Sequence, residues 1–499
     1  MTQHWSAKIA EKVVKQHPNL DMYVVASGIT PSGSVHIGNY REFITNYFVA
    51  CQLKRMGKNV RMIFSWDNYD RFRKVPKNVT VEGFEKYIGM PVTAVPDPWG
   101  EYKYYAERFQ KEFEKALGDL KIDEVPLEYR YQSREYQSGR YNELMCHAVK
   151  NRHKIYDIIT SFKTQGSDEG ERAGYFPISV FCKHCNKDFT KVLGYDESKD
   201  ELEYTCKCGA TTRQSLLHAN NVKLVWKVDW PMRWKVEGVV FEAAGPDHMT
   251  AGGSHDVAER IAREIFGIVP PVGQVYGFVG IKGMGVKMSS SKGNNITPGA
   301  LLNIYEPDII NWLFSKYMPE DFFEFGFDDT IIRHYQEFDR EMNNGAVNFG
   351  TLATVAPIVG FDEKLVRRLL KLDSKVDLSR VGRVKYWLEN YCPEKIYTLR
   401  TTGNREFWAT LSGEERATVM KLHDYLAEGE RAESDIQQFL YSIINDPSAE
   451  KKQNVLKQQR YFKIFYNLLF GRDDGPRLYL YLASADRGKI VDLVGGFAR

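Results

Sequence analysis

The strongest constraint on the fold lies in residues 22–66, where an apolar run, a turn-forming cluster, a long helical pattern and a second apolar run follow one another. Met22 to Ser27 has the composition of a buried strand and breaks into Gly28-Ile29-Thr30-Pro31-Ser32-Gly33. Ile37, Tyr40, Phe43, Ile44, Tyr47, Phe48 and Cys51 then keep the three-and-four spacing of a helix, Gly57 stops it, and Val60 to Trp66 predicts a second strand. A strand, helix, strand unit predicts a parallel pair. Ligands collect at the carboxyl ends of such strands, so Gly28 to Asn39 should line the mouth of a site, with a helix amino terminus facing an anion.

A distant stretch, Lys287-Met288-Ser289-Ser290-Ser291-Lys292-Gly293, fits the same site. Attack on the α-phosphate of a nucleotide builds charge that fixed donors stabilise without a covalent step, and His36 and Asn39 at the helix start are such donors. Gly38 leaves room there for adenine or ribose. Lys287 and Lys292 flank three small hydroxyl residues between Gly283, Gly285 and Gly293, a composition suited to a loop closing on pyrophosphate.

His-Ile-Gly-Asn followed far downstream by Lys-Met-Ser-Ser-Ser resembles the signature pair of class I aminoacyl-tRNA synthetases. The surrounding sequence resembles the class I lysyl branch in particular: His4-Trp5, Asp67 to Pro76, Trp226 to Trp234, Gly245 to Asp256 and Gly475-Pro476-Arg477-Leu478. The resemblance implies catalytic roles for His36, Asn39, Lys287, Ser289 and Lys292, and ATP contacts from Gly38, Gly245, Asp247 and Met288. It implies an amino-acid pocket of Gly28, Thr30, Trp226, His248, Tyr276 and, more weakly, Asp67. Asn39 replaces the second histidine of the general class I pattern, as is ordinary in the lysyl branch, and Ser290 replaces a lysine, leaving the loop charge to Lys287, Lys292 or Lys282. Glutamyl and glutaminyl members carry an arginine at the end of the first strand, whereas this chain has Ala26; without that fork for an acidic or amide side chain, a cationic amino acid becomes the expected substrate. The implied reaction joins L-lysine to tRNA(Lys) through an adenylate, with ATP and Mg2+ as a substrate complex and tRNA needed for activation.

Cys182-Lys183-His184-Cys185 and Cys206-Lys207-Cys208-Gly209 form a second constellation. Four thiolates at this spacing suit one structural Zn2+, with His184 and His218 as bystanders. A disulfide pair is the rival, disfavoured by the reducing compartment that so few cysteines and the lack of a secretory leader suggest. Cys51, Cys146 and Cys392 have no activating base nearby in sequence and read as ordinary buried thiols.

The expected fold is α/β: a Rossmann-like parallel-sheet catalytic domain over 1–318, interrupted at about 90–220 by an insertion holding a zinc module at 178–212, then an all-helical anticodon-binding domain over 319–499. Helix-period segments at Arg416 to Leu426, Asp435 to Ile444 and Val455 to Leu469 support the last part, and Trp408, Tyr461, Phe462 and Phe465 are expected in its core. A net charge of +3 does not by itself announce a nucleic-acid partner, although basic residues outnumber acidic ones between Glu450 and Arg499. No apolar run spans a membrane, so a cytoplasmic monomer is expected. Three alternatives stay open: a synthetase for another amino acid, a non-catalytic tRNA-binding paralogue and, disfavoured by the chain's length, a small-molecule nucleotidylyltransferase.

Overall fold

Residues 22–66 adopt the strand, helix, strand arrangement that their pattern predicts. A computed structural model describes residues 3–162, 168–283 and 296–498. In chain order its strands are β1 (Tyr23–Ile29), β2 (Val60–Trp66), β3 (Leu127–Tyr131), β4 (Ile178–Val180), β5 (Thr190–Asp196), β6 (Glu201–Cys206), β7 (Thr211–Ser215), β8 (Val222–Leu224), β9 (Val239–Ala244), β10 (Val272–Val275), β11 (Val279–Ile281) and β12 (Phe323–Phe325). The helix α1 (Trp5–Gln16) precedes β1, and α2 (Ile37–Arg55) joins β1 to β2.

Five of these strands form an all-parallel sheet in the order β10-β9-β1-β2-β3. Strand β1 is central and almost wholly buried, because side chains leave it toward two covered faces. On one face Phe43 of α2 packs edge-on against Phe64 at 5.6 Å and Phe113 at 6.1 Å. On the other, Trp230 and Trp234 of the helix Trp226–Glu237 pack with Val24, Ala26, Ile63, Val239 and Ala244. Strand order reverses direction between β1 and β9, and such a switch point leaves a crevice at the carboxyl ends of the strands.

Between β3 and β9 the chain builds a smaller antiparallel region. Strands β5, β6 and β7 form one sheet, and β4 pairs with β8. Leu202 and Tyr204 of β6 are fully buried, in a cluster shared with Ile178, Val180, Val222, Leu224 and Tyr69. This small sheet therefore packs on its surroundings instead of closing a core of its own.

The chain divides into two units, Met1–Phe325 and Gly326–Arg499. Every element assigned after β12 among the described residues is helical. Helices Gly413–Ala427, Glu433–Ile444 and Lys451–Phe470 enclose the periodic segments and bury Leu422, Leu440, Ile464 and Leu468 together. Tyr461 and Phe465 are buried in that core, with Trp408 and Phe462 packed against it. Gly471, at φ 72°, ends the last of these helices in the left-handed conformation that glycine permits. Among the described residues no helix is long and apolar enough to cross a membrane.

Candidate functional site

His36 caps α2: its Nδ1 accepts from the Asn39 backbone N–H at 3.3 Å. Burial lowers its pKa, so the ring is neutral at neutral pH. With Nδ1 accepting, the proton of the neutral ring sits on Nε2, which is left as a donor. Gly38 and Asn39 are half-buried in the first turn of the same helix. The Ile37 N–H donates to the Ile296 carbonyl at 2.9 Å, which ties the chain just beyond the lysine-rich loop to the start of α2. Lys287, Met288, Ser289 and Lys292 themselves lie outside the described residues.

A cavity of about 70 Å³ opens between the ends of β1, β2 and β9, lined in part by Gly28, Glu42, Asp67, Trp226, Glu242 and His248. Two carboxylates dominate it. Glu42, from the second turn of α2, accepts from Ser27 Oγ at 3.2 Å, the Gly28 N–H at 3.2 Å and Tyr276 Oη at 2.7 Å. Burial pushes its pKa up to about 7, although all three donors act to lower it. Glu242 of β9 accepts from the indole N–H groups of Trp230 at 2.9 Å and Trp234 at 2.6 Å, and burial raises it to about 6. Those two tryptophans are thus core residues and also line the cavity. Gly28 lies so close to β2 that an added Cβ would stand 3.0 Å from Ser65 Cβ and 3.1 Å from the Ser65 carbonyl oxygen.

Aromatic residues form the outer wall. Trp226 stacks on Trp230 at 4.9 Å and stays 37% exposed, available to a ligand, while His248 lies edge-on to Trp230 at 5.7 Å. His248 Nδ1 pairs with Ser254 Oγ at 2.8 Å, and burial lowers its pKa. Gly245 caps the short helix Pro246–Met249, and Asp247 in its first turn is exposed. Gly253 closes this segment: a Cβ there would meet the His248 and Thr250 carbonyl oxygens at 2.6 and 2.7 Å. Gly253→Ala is therefore expected to destabilise the protein by about 1–3 kcal/mol, read as a lower midpoint in denaturant at unchanged slope.

Asp67 is already engaged. The Arg233 guanidinium bridges Asp67 and Asp229, and Tyr136 Oη donates to Asp229, so both carboxylates are occupied within the wall. Asp70 pairs with Lys223 Nζ and accepts from Thr30 Oγ1 at 3.3 Å. Glu42, Glu242 and Arg233 are among the pocket residues that sequence reasoning did not single out. For Glu42 the one available signal is its place in a helix whose other positions are buried on nearly every side.

Over residues 3–351 the chain matches the family of tRNA synthetases class I (K). The chain belongs to that family. Across its whole length this class I synthetase is 33% identical to the lysine--tRNA ligase of Streptomyces coelicolor, covering 99% of this chain and 98% of the relative. It is 34% identical to that of Thermococcus kodakarensis, with 98% of each covered. Among solved structures, a glutamate tRNA ligase from Elizabethkingia meningosepticum aligns at a TM-score of 0.51 and 11% identity, covering 95% of this chain and 98% of that one, a likeness of fold alone.

The synthetase also gathers its four paired cysteines. Cys182 and Cys208 sulfurs stand 3.8 Å apart and those of Cys185 and Cys206 3.6 Å, and all four lie within 4.8 Å of one another. Tetrahedral zinc with bonds of about 2.3 Å places its sulfurs about 3.8 Å apart, whereas a disulfide needs about 2.05 Å. Backbone N–H groups point at the cluster, with His184 N donating to Cys182 Sγ at 3.4 Å. The Ala210 N–H lowers the Cys208 thiol to about 7, whereas burial raises Cys185 and pushes Cys206 up to about 12, so the geometry of the four sulfurs carries the fit. The donor set therefore fits a zinc ion. Cys51, Cys146 and Cys392 are buried elsewhere, their thiols raised by burial.

Proposed function

We propose that the chain is a lysine--tRNA ligase, attaching L-lysine to tRNA(Lys) at the expense of ATP. The observation that carries the substrate choice is the half-buried carboxylate of Glu42 at the end of β1 beside the buried Glu242, with no arginine on β1 to meet an acidic side chain. An ammonium group entering the cavity gains a charge-assisted hydrogen bond there, while Trp226 offers its face to the aliphatic stem. Full-length similarity to lysine--tRNA ligases supports the same reading.

The reaction runs in two steps. A lysine carboxylate oxygen attacks the α-phosphorus of Mg-ATP; that P–O bond forms as the bond to pyrophosphate breaks, leaving lysyl-adenylate. The terminal adenosine hydroxyl of the tRNA then attacks the lysyl carbonyl, loses its proton, and AMP departs. His36 donates from Nε2 to the phosphate under attack, with Asn39 beside it, and Lys287, Ser289 and Lys292 meet the pyrophosphate. Gly38, Gly245, Asp247 and Met288 hold ATP. Gly28, Thr30, His248 and Tyr276 complete the lysine pocket, while Asp67 serves it through Arg233.

We assign residues 1–318 to catalysis, with the insertion at about 90–220, and 319–499 to the anticodon end of the tRNA; activation waits for bound tRNA, and the enzyme works as a cytoplasmic monomer. Cys182, Cys185, Cys206 and Cys208 hold one Zn2+, which when bound supplies folding energy to the 178–212 module, on the order of 10 kcal/mol by analogy with other structural sites. Metal analysis should find one zinc per chain, and Cys185→Ser should lose it together with a large drop in thermal midpoint. Purified protein given ATP, Mg2+, total tRNA and each labelled amino acid in turn should charge with lysine. Charging with another amino acid would overturn the specificity, and none with any would favour a tRNA-binding paralogue.

A further inference from the structure

The segment Asp67 to Arg71 runs between the cavity and the cysteine module, and its side chains reach both. Tyr69 Oη donates to the Asn220 carbonyl at 2.8 Å, Arg71 pairs with Asp188 at 3.4 Å, and Asp70 accepts both Lys223 Nζ and the Thr30 hydroxyl. Lys223 is on β8, opposite Ser179 of β4. Just beyond that pair the Phe181 N–H donates to the Asn221 carbonyl at 2.8 Å and Asn221 Nδ2 donates back to the Phe181 carbonyl at 2.7 Å, immediately before Cys182. An unbroken chain of bonds thus links the cysteine cluster to the residue that follows β1.

We propose that Lys223 and Asp70 are positioning residues for the amino-acid pocket, fixing the direction of the Thr30 hydroxyl. The chemistry lies in the direction of one hydrogen bond. Because the Thr30 hydroxyl donates to Asp70, its oxygen keeps only lone pairs for a ligand beside Gly28 and Asp67, two residues that line the cavity, which suits the α-ammonium of an amino acid. Burial would raise Asp70, but Lys223, followed by Arg233 and Arg73, holds it below the ordinary carboxylate value. Lys223 has only 12% of its side chain exposed, so its charge has little solvent to lean on; its ion pair is with Asp70, with Asp229 as a further acidic neighbour. Removing that charge takes away the group that fixes the Asp70 carboxylate, so the Thr30 hydroxyl is no longer held and its hydrogen is free to turn toward the substrate's cation.

This inference rests on the lysine ligase reading, and the experiment separates the two. Wild-type enzyme is assayed first; charging with an amino acid other than lysine sinks that reading, and the relay is then tested on the KM of whichever amino acid is used. Lys223→Met keeps the apolar stem and removes the charge. It should raise KM for the amino acid about tenfold, with KM for ATP and zinc content unchanged, and Lys223→Arg should restore most of the loss. Thr30→Val, which does not disturb β8, should raise the same KM, and adding Lys223→Met to it should cost nothing further. Equal rises in both KM values, no rise at all, or additive losses in the double variant would overturn the relay.

Discussion

His36→Ala is expected to lower kcat for tRNA charging by about 10²- to 10³-fold, the usual loss when one preorganised donor to a developing charge is removed. KM for lysine should change little, because His36 lies at the start of α2 and does not line the cavity beside Glu42. The alanine variant also loses a helix cap, worth about 1 kcal/mol. His36→Asn separates the two effects: asparagine keeps a cap but no longer extends a donor to the Nε2 position. Full activity in His36→Asn would mean that the residue matters only as a cap. Rate loss in both variants, with stability lost in the alanine variant alone, would assign the donor role.

Glu42→Gln is expected to weaken lysine binding by about two to four orders of magnitude, since removing one member of a desolvated ion pair leaves the other uncompensated at about 3–5 kcal/mol. Its pH signature is more specific than its size. The Glu42 carboxyl is raised from an ordinary 4.5 to about 7 in the free protein, so across that interval the folded state holds a proton that the unfolded state has lost. Stability of the free protein is therefore withdrawn as pH rises through this window. Lysine acts in the opposite sense, because its ammonium favours the ionised carboxylate. The stabilisation that saturating lysine confers should grow as pH rises through about 7, measured as a thermal shift at about pH 6 and about pH 8. In Glu42→Gln that pH dependence should vanish. Persistence of the slope in the variant would point instead to Glu242, which titrates at about 6.

Where a property belongs to a local stretch, the sequence is a sufficient guide. Strand β1, helix α2 and strand β2 are legible because Gly28, Pro31, Gly33 and Gly57 punctuate apolar runs of matching period. Paired cysteines are legible for the same reason: two short spacings define two knuckles, and a tetrahedral metal needs little more. Properties made by residues brought together from afar are not legible. Glu42 goes unnoticed until Tyr276 is brought to it, and Asp67, only weakly expected in the pocket, turns out to be engaged by Arg233 of the helix Trp226–Glu237. Trp230 and Trp234 carry the spacing of a packed stripe, and only their shared acceptor Glu242 makes them a wall of the cavity. Burial, charge pairing and proton affinity are set by such long-range neighbours, so the fold of residues 22–66 could be read before the chemistry of the pocket.

Strand order also sets a clock for biosynthesis. Strand β1 is flanked in the finished sheet by β2, made almost at once, and by β9, made roughly 200 residues later, an interval of about 10–40 s at ordinary elongation rates. Throughout that interval the nascent chain presents an apolar, hydrogen-bond-hungry strand edge with no partner of its own. The ribosome-bound intermediate is therefore the species of this protein most exposed to misassembly, and the one with most to gain from a chaperone.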